Sequence, residues 1–150
     1  MKINRHDLPC LLLELIAQGR WKVPSESEAI WSLTGFEKSA RLRFLDVSGM
    51  EGITSQAIAL ADSDPADGYG LARDEKADGK PGYLNVDKAV AIAIDYDEGL
   101  ICLDYSCNEE EPRVVCSSWP EGAASCTWHT IAGSFGEFVS AIRLASNREG

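Results

Sequence analysis

The chain has 150 residues, with 14 Lys plus Arg against 24 Asp plus Glu and a net charge of −10. At 45% hydrophobic and 25% charged, it is long and apolar enough to bury a core, which excludes a disordered or collagenous chain. The acidity excludes a nucleic-acid binder, which needs cations to displace counterions from phosphate, and it disfavours docking on anionic lipid.

The first helix is expected from about Leu8 to Gln18, with Asp7 as N-cap, Pro9 in the first turn and Gly19 as its stop. Leu8, Leu11, Leu12, Leu15 and Ile16 form its buried stripe. Ser25-x-x-Glu28 has the capping-box pattern and opens a short helix carrying Ile30, Trp31 and Leu33, ended by Gly35. Arg41 to Val47 alternates like a strand, and Ile53 to Ala61 fits either a short helix or a strand. Asp62 to Gly82 holds glycines and prolines among charges and reads as a loop of about 20 residues, of the kind that is often functional.

Ala89 to Tyr105 is the clearest segment. Val90, Ile92 and Ile94 alternate with Ala89, Ala91 and Ala93, so bulky side chains are expected on one face and alanines on the other, packed closely on a helix. Asp97-Glu98-Gly99 makes the turn into Leu100–Tyr105, and Arg113–Trp119 follows as a third antiparallel strand. Ser134-x-x-Glu137 is a second capping box, and Phe135, Phe138, Val139 and Ile142 follow at helical spacing, so Phe135–Ser146 is expected to be a helix over one face of the sheet. Trp21 and Trp31 are read as core or rim packing, and Trp119 and Trp128 bracket the loop Pro120 to Thr127.

The charge is concentrated. Residues 62–111 hold fourteen acids and four bases, which accounts for the whole net charge, while the remaining residues balance to zero. Such a surface either keeps the protein in solution or docks a cationic partner. Asp97, Glu98, Asp104, Glu109, Glu110 and Glu111 are the expected contact acids, with Tyr105 and Trp119 as the aromatic anchors that exposed ion pairs cannot replace.

No catalytic constellation stands out. Cys107, Cys116, Cys126 and His129 lack the two tight knuckles of a structural zinc site. No cysteine follows a glycine-rich turn at a helix start, as a nucleophile paired with His129 or His6 would. The hairpin acids Asp95, Asp97, Glu98 and Asp104 resemble solvated turn residues more than a paired-carboxylate site. Asp62-x-Asp64-x-x-Asp67-Gly68 lacks the closing glutamate of a calcium loop, and Gly68-Tyr69-Gly70 lacks the strand and third glycine of a dinucleotide fingerprint. The expectation is therefore no cofactor and no metal. The first apolar cluster is too short for a signal segment, and the five cysteines are odd in number, so a cytoplasmic protein with reduced thiols is expected.

Several pieces together resemble a known family. They are Ala91-Ile92-Ala93-Ile94-Asp95-Tyr96-Asp97-Glu98-Gly99, then Ile101-Cys102-Leu103-Asp104-Tyr105, then Glu111-Pro112-Arg113-Val114-Val115, then Trp128, then Ile131-Ala132-x-Ser134-Phe135-x-x-Phe138. In this order they resemble the SMI1/KNR4, or SUKH, superfamily over about the last two fifths of the chain. The resemblance implies an α+β fold with a curved, mostly antiparallel sheet and helices packed on it, as one domain over 1–150 with a long loop or insertion at 62–82. It implies a non-catalytic protein of the bacterial immunity kind, which neutralises a toxin, often a nuclease, by direct binding, with a basic toxin domain as the partner. The alternatives are a regulatory or scaffolding adaptor for an endogenous protein, and a small metal- or cysteine-dependent enzyme.

Overall fold

The computed structural model describes residues 1–24, 28–36, 41–62, 69–73, 82–96, 98–118 and 126–144. Ser25, Asp97 and Trp119 fall outside the described residues, as do most of the expected loop at 62–82 and residues 145 and 146 of the expected last helix.

The chain opens with a small hairpin, β1 (Lys2–Ile3) and β2 (His6–Asp7). Asn4 and Arg5 both take the left-handed conformation, φ 53° and 69°, as a two-residue turn between antiparallel strands requires. This hairpin engages Asp7 as a strand partner of Lys2, so the expected cap is not formed. Helix α1 (Cys10–Ala17) starts instead after Pro9 and buries Leu12 and Leu15. Helix α2 (Ala29–Thr34) ends at Gly35, whose φ of 75° suits glycine.

Strand β3 is shorter than the alternation suggested, covering Leu42–Phe44, because Asp46 ends it by capping the next helix through Gly49 N–H at 2.7 Å. Helix α3 runs from Val47 to Ala61, so the ambiguous stretch is helical and starts six residues earlier. It buries Met50, Thr54 and Ala57 at helical spacing. Strand β4 (Leu71–Ala72) lies inside the expected loop and pairs in parallel with β5 (Leu84–Asn85) just after it. A single turn of 3-10 helix over Val86–Lys88 then leads into the main sheet.

That sheet contains β3, β6 (Ala89–Asp95), β7 (Gly99–Asp104), β8 (Arg113–Ser118) and β9 (Thr127–Ala132). Its order is β3-β6-β7-β8-β9 and every pairing is antiparallel. The expected meander is present, extended on one edge by β3 and on the other by β9. Helix α4 (Phe135–Ala141) follows, with Ser134 as its cap: Glu137 N–H donates to Ser134 Oγ at 3.1 Å, while Glu137 Oε2 reaches one residue past the cap and accepts from Gly133 N–H at 2.8 Å. It stops earlier than expected, because Arg143 turns left-handed at φ 66° and Leu144 N–H bonds back to Val139 O.

The fold is α+β, with two apolar layers on the two faces of the sheet. One layer joins Leu12 and Leu15 of α1 and Ile30 of α2 to Val90, Ile92, Ile101, Leu103 and Val114 of the sheet and Phe138 of α4. Burying each such side chain stabilises the fold by about 1.5–3 kcal/mol. The other layer joins Ala57 of α3 to Ala89, Ala91, Cys102 and Val115. Ala89 and Ala91 thus pack on a helix as expected, and Thr54 Oγ1 accepts from Ala91 N–H at 2.9 Å.

The alternation fails at one point. The β6–β7 register shifts between Ala91 and Ala93, so Ile92 and Ala93 both join the first layer. Ile94 is thereby turned away from Val90 and Ile92 and lines a groove beside α3.

Candidate partner-binding surface

The described residues of the expected contact set do not come together. Glu98 lies in the turn between β6 and β7, while Asp104, Tyr105 and Glu109–Glu111 lie where β7 leads towards β8. The six residues of β7 separate the two groups by about 20 Å, at a rise near 3.4 Å per residue. Asp97 and Trp119 lie outside the described residues.

At the Glu109–Glu111 end, two of the expected contacts are interior groups. Tyr105 is 2% exposed, and its hydroxyl donates to Asp7 O at 2.7 Å. Burial raises its pKa, as expected for a phenol removed from water. Asp104 is 4% exposed and accepts from Arg113 Nε at 2.8 Å. Both side chains are engaged in the interior that the hairpin and the sheet create. Glu109 is exposed but pairs with His6 at 2.6 Å. Glu110 and Glu111 are exposed, their backbone N–H groups donate to Asn108 Oδ1, and they have no ion-pair partner among the described residues. Elsewhere in the acidic third, Arg73 engages both Asp87 and Asp62. Asp87 chiefly, through its hydrogen bonds, holds that guanidinium more firmly charged.

The other end of the sheet carries a groove of about 240 Å³. Helix α3 contributes Ile53 and Leu60, the sheet contributes Ile94 and Leu100, and Tyr69 and Trp128 line it from the β4 and β9 side. It exists because α3 sits over β6 through the alanines and leaves the ends of β7 and β8 uncovered. Tyr96, 63% exposed, and Tyr69, 40% exposed, are two of the three large apolar side chains exposed among the described residues. Trp128 Nε1 donates to Tyr69 O at 3.1 Å, which ties the two aromatic positions to each other. Asp95 and Glu98 supply carboxylates, and no lysine, arginine or histidine lines the groove among the described residues. Among the described residues of the expected contact set, only Glu98 lines it. Sequence reasoning did not single out Tyr69 or Tyr96, which lie far apart in the chain and meet only in the lining of this groove.

The SMI1 / KNR4 family (SUKH-1) model matches residues 7–141. The chain belongs to this family. No curated protein and no solved structure matches it.

In this SMI1/KNR4 chain the family match reaches back through α3 and α1, well beyond the C-terminal pieces that carry the resemblance in the sequence. Those pieces form β6, β7, β8, β9 and α4, the sheet and the helix that closes it. The cysteines of the SMI1/KNR4 fold are all free among the described residues, with Cys102, Cys116 and Cys126 buried and Cys10 and Cys107 exposed. Burial pushes the Cys116 thiol up to about 12 and raises Cys102 and Cys126, so all three remain protonated and unreactive near neutral pH. Among the described residues no group of three or more His, Cys, Asp or Glu side chains is placed to hold a metal ion, and no helix is long and apolar enough to cross a membrane.

Proposed function

We propose that the protein is a non-catalytic, immunity-type binding protein that neutralises a basic toxin domain by direct contact. The observation that carries this reading is the family match over 7–141. The charge distribution supports it. Net charge of −10 resides in residues 62–111, and Glu110 and Glu111 present it outward with no internal ion pair among the described residues. A field of that sign speeds encounter with a cationic partner and orients it before close contacts form. A nuclease that must attract phosphate carries such a basic surface, so covering it with an acidic protein blocks its substrate site.

The test is co-expression with the product of the neighbouring gene, scored for growth and for co-purification. Rescue of growth together with a stable complex is expected. Co-purification of an endogenous protein without any rescue would replace this reading with the adaptor alternative.

A further inference from the structure

The single 3-10 turn at Val86–Lys88 is gripped from outside. Four successive carbonyls, those of Val86, Asp87, Lys88 and Ala89, each face a nitrogen from elsewhere in the chain. Asn4 Nδ2 donates to Val86 O at 2.9 Å and to Ala89 O at 3.0 Å, and Tyr105 N–H donates to Lys88 O at 2.7 Å. His6 Nε2 lies 2.8 Å from Asp87 O. The Asp87 side chain, 7% exposed, is held in turn by Arg73, whose Nε lies 2.8 and 2.9 Å from its two oxygens and whose Nη2 lies 2.8 Å from Oδ1. The remaining arm of that guanidinium, Nη1, meets Asp62 at the end of α3, at 2.9 Å.

One turn of 3-10 helix has poor hydrogen-bond geometry of its own, so these outside contacts set where its carbonyls point. The imidazole that meets Asp87 O meets Glu109 on its other nitrogen. A path from Arg73 to the acidic link thus runs through one carboxylate, one turn and one ring, with contacts of 2.8, 2.8 and 2.6 Å.

We propose that Arg73 is a positioning residue for the link that carries Glu110 and Glu111. By holding Asp87 it fixes the 86–89 turn, and the turn, through His6, fixes Glu109. Without Arg73, Glu110 and Glu111 keep their charge and lose their fixed place, and a surface held ready for its partner binds more tightly than the same charges on a loose link. That the link meets a partner rests on the immunity reading; the coupling rests on the hydrogen bonds alone.

The experiment is a double-mutant cycle of Arg73→Gln with Glu109→Gln in the full chain, read by urea denaturation, with amide NMR spectra of each variant. Arg73 and Glu109 share no direct partner among the described residues, so independent action would make their effects additive. Glu109→Gln should lower the folding constant about two- to fivefold in the otherwise native chain, and less than about 1.5-fold once Arg73 is replaced, because its anchor is already loose. The Glu109, Glu110 and Glu111 amides should shift in Arg73→Gln. They should stay in place in Asp62→Asn, which removes only the arm of the guanidinium that points away from this path. Equal losses in both backgrounds, or unmoved link amides in Arg73→Gln, would each overturn the proposal. Should Arg73→Gln not fold, Arg73→Lys, which keeps the cation but cannot fork across both Asp87 oxygens, carries the same cycle. If the cycle is coupled but co-expression gives no rescue, the immunity reading fails and the positioning role stands. Rescue with an additive cycle leaves the immunity reading and removes the role of Arg73.

Discussion

The His6 imidazole and the Glu109 carboxylate, 103 positions apart, meet at 2.6 Å. His6 is held from three sides: its Nε2 lies 2.8 Å from Asp87 O, its ring stacks on Tyr105 at 4.5 Å, and Glu109 closes the remaining nitrogen. The N-terminal hairpin is thereby fastened to the far end of the sheet, with Asn4 Nδ2 donating to both Val86 O and Ala89 O.

The first prediction follows from that clamp. His6→Ala should lower folding stability by about 1–3 kcal/mol, because it removes buried hydrogen bonds and the stacking contact. Glu109→Gln should cost about 0.5–1 kcal/mol, since Glu109 is largely exposed and its pair is partly screened. Glu110→Gln should stay within about 0.5 kcal/mol of wild type. Urea denaturation of the three variants tests this ordering. A Glu109 variant as stable as the Glu110 variant would show that the pair contributes nothing.

Because Glu109 holds the fold, the acid available to steer a partner from this link is Glu110 with Glu111. The second prediction is that the double variant Glu110→Gln, Glu111→Gln slows association with a cationic partner about two- to tenfold at low ionic strength. The deficit should close as the Debye length falls to about 3 Å near 1 M salt. Dissociation should change little. Stopped-flow association across a salt series measures it, and equal rates at low salt would show that the partner approaches another face.

The third prediction concerns the thiols. A brief alkylation of the native protein should modify Cys10 and Cys107 and spare Cys102, Cys116 and Cys126, read by mass spectrometry. Their raised pKa values also set an alkaline limit. In the unfolded chain a thiol loses its proton near its ordinary value of 9, whereas folded Cys116 keeps it until about 12. Between these values the folded state binds more protons, so stability falls as pH rises, by up to about 1.4 kcal/mol per pH unit for each thiol. The contribution is fully present below pH 9. Urea midpoints from pH 8 to 10.5 test the sign, and a midpoint that rises across this range contradicts it.

Local periodicity made much of the fold legible. The β6–β7–β8 meander, the Ser134 cap and the packing of Ala89 and Ala91 on a helix all depend on neighbours within a few residues, and all are present. What was not legible depends on distant partners or on one extra residue. The bulge at Ile92 sends Ile94 to the opposite face, although its spacing matched Val90. Asp7 has the chemistry of a cap, but the left-handed Asn4 and Arg5 commit it to a hairpin. Tyr105 and Asp104 carry the residue types of a docking surface, yet the hairpin and Arg113 draw them inward. Acidic composition located the charge along the chain, but it did not distinguish acids that fasten the fold from acids that face outward.

The last prediction joins the fold to the groove through Gly70. This residue takes φ 65°, a conformation that an L side chain adopts only under strain. Its carbonyl accepts from Leu84 N–H at 2.8 Å, which fixes β4 beside β5. A Cβ here would stand 2.7 Å from Cys126 O and 3.1 Å from Trp128 Cδ1, so the bare backbone is what lets Tyr69 and Trp128 approach each other. The carbonyl belongs to backbone and cannot swing aside as a flexible side chain would. Gly70→Ala should therefore destabilise the protein by about 1–3 kcal/mol. It should also break the Trp128 Nε1–Tyr69 O hydrogen bond and move the Trp128 indole signal, while the His6–Glu109 end keeps its native spectrum. Thermal melts and NMR of the variant measure both effects. A Gly70→Ala protein with wild-type stability and an unmoved Trp128 indole would show that this backbone position is not what sets the groove.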